Sequence, residues 1–312
     1  MLTHNWLMPA DGTILGQTYA QMFPERVGRL VIDGVSDLDD WYNTFYFTEQ
    51  FVDTDALYAR FIEECHKAGE NCSLNSIGSQ SFETYADLKS YIDDLLINLD
   101  GNPIPYYVNA SDYGKVTRHT VVSRLVDALK SPRGWPDFAT SLGRHLDRNM
   151  TWIKKLAELQ THESEDTDDS FTFIIQNDNL KTGSSALVHG IKPIQNYTLS
   201  RPGQSSLVSR YLPSGAYERA SWSIPTTHTF RPIYAPFLPK FKTANPILVL
   251  STTLDPVCPL RSAKRAHASF EGSGFLEQLS YGHCTVSMKS SCTEKHVKAY
   301  FLEAKLPEEG SV

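Results

Sequence analysis

Two residues late in the chain have the types and the order of a catalytic acid and base. Asp255 directly follows an apolar, strand-like segment over 246–253, and His283 follows a second strand-like segment over 275–280. Carboxylate and imidazole groups at the C-terminal ends of parallel strands lie where open α/β sheets bind their ligands. The aspartate can fix the tautomer of the imidazole, which then carries a proton between a nucleophile and a leaving group. We therefore predict that Asp255 and His283 form an acid–base pair.

A nucleophile would complete this pair. In hydrolases with an acid and base in this chain order, it lies on a tight strand-to-helix turn with the pattern glycine-x-serine-x-glycine. With Gly12 as the last glycine of that pattern, Ala10 takes the serine position and Met8 takes that of the first glycine. Alanine offers no nucleophilic atom, and neither Met8 nor Pro9 suits a strained turn with close backbone contacts.

Asp11 is a second candidate for the nucleophile, because carboxylates attack substrates in some hydrolases. It would, however, place Pro9 and Thr13 at positions that require small residues. Ser36 and the serine pair at 184–185 lie in no comparable turn pattern. The chain as written is therefore predicted to lack the nucleophile of a serine hydrolase.

The elements that would position these residues lie at both ends of the chain. Residues 12–23 have the periodicity of a helix, which Pro24 ends, and the run 27–33 is typical of a buried strand. Residues 2–7 do not form a convincing buried strand. Near the other end, the pattern predicts strand, helix, strand and helix over 245–253, 260–270, 275–280 and 293–302. Strands that alternate with helices favour a parallel α/β sheet.

The long stretch between these ends has a different character. Residues 37–160 are mainly amphipathic helix with an extended break at 102–107. The acidic run 163–169 predicts a solvated loop, and residues 170–240 have weak periodicity.

The sequence therefore predicts the α/β class, as a partial α/β-hydrolase fold with a parallel sheet flanked by helices and a large helical cap insertion. The core would comprise residues 1–36 and 241–312, and the mainly helical cap would comprise residues 37–240.

Composition narrows the classes of partner. The chain has 312 residues and a formal net charge of -7, and a weakly acidic surface repels phosphate backbones. No apolar run approaches the roughly 18 residues that span a bilayer. We therefore expect no nucleic-acid partner and no membrane partner.

The five cysteines bear on the compartment. Cys65 and Cys72 are spaced to close a small loop as a disulfide, and so are Cys284 and Cys292, while Cys258 is left over. Neither spacing fits a C-x-x-C metal or redox site. The alternative is that all five are free, partly buried thiols.

Four N-x-S/T sequons accompany the cysteine pairs, at Asn71, Asn109, Asn149 and Asn196. Together they favour a secreted, disulfide-bonded glycoprotein. The first ten residues nevertheless lack the basic and apolar regions of a signal peptide. We therefore expect the N-terminus of this sequence to be incomplete.

Both ends of the chain also resemble a known family. Residues 12–27, followed by Asp33-Gly-Val35, resemble the segment after the elbow in tripeptidyl-aminopeptidase-like α/β-hydrolases, the proline iminopeptidase-related serine peptidases. Residues 251–260, 280–285 and 291–295 resemble the TAP-like C-terminal region of that family. The family has a glycine-x-serine-tyrosine-glycine elbow directly before the segment that begins at Gly12. This chain has Ala10 at the serine of that elbow, and the abrupt start of the resemblance suggests N-terminal truncation.

The resemblance implies a function. Asp255 and His283 would be the acid and base of a Ser-His-Asp triad that hydrolyses amide or ester bonds of a small peptide or acyl substrate, with no metal or cofactor. It also implies secretion, and fungal relatives of this kind occur as hydrolases in secondary-metabolite gene clusters. The alternative is a catalytically inactive pseudo-hydrolase that binds a ligand in its cap.

Overall fold

The computed structural model describes residues 4–43, 49–146, 165–178, 205–208, 230 and 240–311. They fall into two compact units. One comprises Met1–Thr54 and Asp169–Val312, and the other comprises Asp55–Asp168. The predicted division into a core and a cap at residues 37 and 240 stays a prediction.

The described helices and strands alternate in the first unit and are mostly helical in the second. In chain order they are β1 (His4–Pro9), α1 (Gly12–Met22), β2 (Val27–Asp33), α2 (Leu38–Asn43), α3 (Thr54–Lys67), β3 (Ser76–Ile77), β4 (Gln80–Ser81), α4 (Tyr85–Gly101), β5 (Ile104–Asn109), β6 (Asp112–Val116), α5 (Arg118–Lys130), α6 (Trp135–Leu146), α7 (Glu165–Asp178), β7 (Leu248–Leu254), α8 (Leu260–Ser269), β8 (Gly274–Tyr281) and α9 (Ser291–Glu303).

A four-stranded sheet organises the first unit. Its strands lie in the order β1-β2-β7-β8, and each neighbouring pair is parallel. Because parallel strands end at the same edge, the residues that follow Pro9, Asp33, Leu254 and Tyr281 gather there. This sheet with flanking helices confirms the predicted α/β class and the partial α/β-hydrolase fold.

The two faces of the sheet are buried by different helices. Leu30 and Ile32 of β2 pack with Val249 of β7 and with Ala20 and Ala263 from α1 and α8. On the other face, Val31 lies in a cluster with Leu248, Leu250, Leu276 and Tyr300 of α9. Alternate residues of β2 thus serve opposite faces, as the two-residue period of a strand requires.

Gly16 lets α1 approach the sheet closely. A Cβ at this position would lie 3.1 Å from Ile32 Cγ2 and 3.1 Å from Met8 Sδ. A larger residue would push the helix away from both strands. The helix therefore packs closely against β1 and β2 at Gly16.

β1 departs from the sequence-based expectation. The pattern of residues 2–7 gives no convincing buried strand, yet residues 4–9 pair in parallel with β2. Trp6 and Met8 are only partly buried against the core, and Leu7 is 52% exposed. Among the described strands β1 forms one edge of the sheet, so a strongly apolar pattern is not required of it.

The second unit is mainly helical and carries a disulfide. Helices α3 to α6 are accompanied by two antiparallel hairpins, β3-β4 and β5-β6. Leu57, Phe61 and Leu88 are among its fully buried side chains. Cys65 and Cys72 form the disulfide, which confirms one of the two predicted pairings.

The structure confirms one local prediction and corrects another. Most of the extended break at 102–107 belongs to β5, and its partner β6 lies within the stretch predicted as mainly helical. Residues 165–169 of the acidic run, predicted as a loop, form the first turns of α7. Acidic side chains favour the N-terminus of a helix, where they meet the positive end of its dipole.

Within the residues that the structure describes, no helix is both long enough and apolar enough to cross a membrane.

Candidate active site

Asp255 lies directly after β7 and is held by the backbone around it. Its side chain is fully buried. Oδ1 accepts hydrogen bonds of 2.8 Å from the N–H groups of Val257 and Cys258, and Oδ2 accepts one of 3.0 Å from Cys284. Charged acceptors with several backbone donors are rigidly oriented. These backbone donors therefore fix the orientation of the Asp255 carboxylate before any substrate binds.

His283 lies two residues after β8 and faces this carboxylate. Its Nδ1 is 3.0 Å from both Oδ1 and Oδ2 of Asp255, and its side chain is 19% exposed. Gly282 before it has a φ of +101°, which only glycine adopts readily. The structure thus brings the two predicted site residues into contact, and their catalytic role stays a prediction.

Ala10 occupies a strained turn between β1 and α1. Its φ is +50°, in the left-handed region that an L-residue other than glycine adopts at a cost of about 1–2 kcal/mol. The Ala10 N–H donates to the Asp33 carbonyl at 2.9 Å, and the Thr13 N–H donates to the Ala10 carbonyl at 2.9 Å. Strand, strained residue and helix reproduce the form of a nucleophile elbow.

The expectation that Met8 and Pro9 are incompatible with this turn is therefore wrong. Both lie in β1, and Pro9 is paired in register with Asp33 at the end of the strand. Proline is tolerated at such an edge position. The strained backbone is that of Ala10. The Met8 side chain lies against α1 at Gly16.

Asp33 is a buried carboxylate at the site whose role the sequence reading missed. It ends β2, is 2% exposed, and accepts hydrogen bonds from the Thr285 N–H at 2.9 and 3.0 Å and from the Thr285 hydroxyl at 2.7 Å. Burial raises the pKa of Asp33, and the hydrogen bonds from Thr285 oppose that rise. The available signal was its position: like Asp255, it comes at the C-terminal end of a buried strand.

Cys284 fills the space beneath the elbow. Its Sγ lies 3.4 Å from the Asp33 carbonyl oxygen, which also accepts from Ala10. Its own φ is +63°, and its sulfur packs against Gly34, where a Cβ would collide with it. Burial raises the pKa of the Cys284 thiol far above its usual range. Ala10 and Cys284 thus both have left-handed backbones and both contact the Asp33 carbonyl, and backbone strain of this kind is common at functional sites.

The predicted disulfide between Cys284 and Cys292 is wrong. Both are free thiols, and Cys284 is buried while Cys292 is exposed at the start of α9. Sequence spacing allows a small loop to close but does not make the two side chains point toward each other.

The potential ligand atoms of Asp255, His283 and Cys284 lie within 4.8 Å of one another, close enough to bind one metal ion. A cysteine binds a metal as the thiolate, and burial keeps Cys284 protonated. The Asp255 oxygens already accept three backbone N–H groups. This donor set therefore suits an acid–base pair better than a metal centre.

Comparisons with known proteins agree with the α/β-hydrolase fold. Residues 205–312 match the family described as TAP-like protein. The chain is 22% identical over 309 residues to the serine protease Hip1 of Mycobacterium bovis and of Mycobacterium tuberculosis. The alignment covers 96% of this chain and 56% of those proteins, so the chain spans about half the length of the curated relatives it matches. The sheet is that of a partial α/β-hydrolase fold, and the matched regions make the chain similar to the TAP-like family and to serine proteases.

Proposed function

We propose that the site is that of a serine hydrolase of the tripeptidyl-aminopeptidase-like type, in which Ala10 occupies the nucleophile position of this chain. Asp255 would be the acid and His283 the base of a triad that hydrolyses amide or ester bonds. The observation that carries the proposal is the 3.0 Å contact between Asp255 and His283 at the sheet edge where the strained turn at Ala10 also lies. The match to serine proteases supports the same chemistry.

The geometry indicates how the groups would act. Asp255 holds Nδ1 of His283, and Nε2 would be the atom that takes the proton from a hydroxyl at position 10. The resulting alkoxide would attack the carbonyl carbon, and the backbone N–H of residue 11 would donate to the oxyanion. The protonated imidazole would then give its proton to the leaving amine or alcohol as the acyl-enzyme forms. Water would hydrolyse that acyl-enzyme by the same proton transfers in reverse.

Ala10 itself favours a second candidate, a catalytically inactive pseudo-hydrolase that binds a ligand. Loss of the serine alone removes most of the catalysis of a triad, about 10⁶-fold in one enzyme. We therefore expect this chain as written to show no hydrolysis through a triad. A small peptide or acyl compound would be its substrate or ligand under either candidate.

The proposal extends to the compartment. The Cys65–Cys72 disulfide is typical of proteins that fold in an oxidising environment. Asn71 and Asn109, at two of the four sequons, are exposed and accessible to glycosylation, while Asn149 and Asn196 lie outside the described residues. These features support a secreted glycoprotein.

Restoring the hydroxyl tests the proposed activity. The variant Ala10→Ser should react with a fluorophosphonate probe and hydrolyse activated acyl esters and short peptide amides, whereas the unmodified chain should do neither. A matched double variant, Ala10→Ser with His283→Ala, should lose this reactivity by about 10³-fold or more, because the serine then lacks its base. A folded Ala10→Ser chain that is not labelled would contradict the hydrolase proposal. Binding of peptides by that inert chain would favour the pseudo-hydrolase instead.

A further inference from the structure

The C-terminal end of β2 connects the two loops that carry the candidate site. We infer that Asp33 is a positioning residue that fixes the His283 loop relative to the elbow turn at Ala10. Its carbonyl oxygen accepts from the Ala10 N–H at 2.9 Å. Its carboxylate accepts from the N–H and the hydroxyl of Thr285, two residues beyond the histidine. One residue thus holds both loops, through its main chain on one side and its side chain on the other.

Asp33 is suited to this role because its own position is fixed. It is paired with Pro9 of β1 on one side and with Leu250 of β7 on the other. Its side chain is 2% exposed, so water offers it no alternative partners. A residue that is paired on both sides within a packed sheet moves only with the sheet. Loops that form hydrogen bonds with Asp33 are therefore held in a fixed position relative to the sheet.

The His283 loop needs such support because its backbone is strained. Gly282 and Cys284, on either side of the histidine, both have positive φ, and Cys284 lacks the freedom of glycine. Upstream of the histidine, the Gly282 N–H donates to the Leu254 carbonyl at 3.0 Å, which ties the loop to β7. Downstream, the Thr285 contacts tie it to β2.

Asp255 and Asp33 therefore have different tasks. They accept from successive backbone N–H groups, those of Cys284 and Thr285. Asp255 also contacts the imidazole, whereas Asp33 acts on the histidine through the loop. The positioning itself does not depend on the proposed function, while its consequence for hydrolysis does.

The test follows the hydrogen bond between His283 and Asp255 directly. In the full chain, the proton on Nδ1 of His283 should give a downfield NMR signal, assigned by its loss in His283→Gln. In Asp33→Asn this proton should exchange with water about tenfold faster, since a charge-assisted hydrogen bond that holds the loop is lost. Asp37→Asn is the matched control. Asp37 is also buried and also accepts a backbone N–H, that of Asp40, but its second partner is Arg265 and neither partner belongs to the His283 loop. In Asp37→Asn, the Nδ1 proton of His283 should exchange at the same rate as in the unmodified chain.

A second variant keeps the test decisive if Asp33→Asn does not fold. Thr285→Val removes only the hydroxyl donor and leaves the carboxylate charge in place, so its exchange rate should rise by a smaller factor. An unchanged exchange rate in either folded variant would overturn the positioning role. If the Ala10→Ser chain is active, adding Asp33→Asn should lower kcat by about 10²-fold with little change in KM, because the base is misplaced. Failure of Ala10→Ser to gain activity would count against the proposed function alone, since the exchange measurement needs no catalysis.

Discussion

At the residue scale, the five cysteines are of three chemical kinds. Cys65 and Cys72 are oxidised in the helical unit. Cys258 and Cys284 are buried thiols near Asp255, and burial raises the pKa of each. Cys292 is a free thiol on the surface. Reactivity follows the thiolate and its exposure, so the three free thiols should behave differently.

Thiol labelling checks this division. We expect a maleimide or a disulfide reagent to modify only Cys292 in the native chain at neutral pH. Cys258 and Cys284 should react only after unfolding, because their raised pKa values and burial keep them protonated and out of reach. Peptide mass spectrometry locates the label, and Cys292→Ser should abolish it. Rapid native labelling of Cys284 would show that the space beneath the elbow is open to solvent.

At the scale of elements, one tyrosine fastens α9 to the sheet. The Tyr300 hydroxyl accepts from the Leu30 N–H at 2.9 Å and lies 2.8 Å from the Pro246 carbonyl, to which it donates. The side chain is 1% exposed and shares an apolar cluster with Val31 and Leu248. The hydroxyl thus supplies β2 with a hydrogen-bond partner just before the paired part of β7 begins.

Removing that hydroxyl should loosen the helix. Tyr300→Phe keeps the ring but leaves the buried Leu30 N–H without its partner, at a cost of about 1–3 kcal/mol. The difference between the free energies of unfolding of the variant and the unmodified chain, measured in urea, gives the size of this loss. Tyr85→Phe, at a tyrosine that is 49% exposed, is the comparison and should change it by less than about 0.5 kcal/mol. Equal effects at both positions would show that α9 does not rely on the hydroxyl.

At the scale of the whole molecule, the chain has two compact units with different sources of stability. The unit that contains the site rests on a sheet buried on both faces. The unit of residues 55–168 adds a covalent bond, Cys65–Cys72, with a sequence separation of 7. A loop of this size restricts the unfolded chain by roughly 2–3 kcal/mol.

Reduction should therefore weaken the helical unit. The double variant Cys65→Ser, Cys72→Ser should lower the opening free energy of peptides within residues 55–146 by about 2–3 kcal/mol, measured by hydrogen exchange with mass spectrometry. Cys292→Ser, which removes a free surface thiol, should leave it unchanged. Equal protection in the double variant and the unmodified chain would contradict a stabilising role for the disulfide.

The site residues were largely predictable because local patterns mark them. Asp255 and His283 each follow a run typical of a strand, and parallel strands bring their C-terminal ends together without further information. The α/β class follows from the same alternation of strands and helices. The Cys65–Cys72 pair was predictable only as one of two similar spacings. The other, Cys284 and Cys292, consists of one buried and one exposed free thiol.

What was missed depends on contacts between distant residues. β1 is a strand because β2 pairs with it, although its own apolar pattern is weak. The positive φ of Ala10 is supported by a hydrogen bond to Asp33, and the role of Asp33 appears only when Thr285 is folded against it. Propensity and periodicity describe neighbours along the chain, so they carry no signal for such contacts.

The strained alanine also has a genetic consequence. Any alanine codon becomes a serine codon by one base change at its first position. The turn at Ala10, the buried Asp255 and the oriented His283 all lie at the same edge of the sheet. Under the proposed function, a single point mutation thus separates the present allele from one that encodes a full triad, and selection could act on that step in either direction.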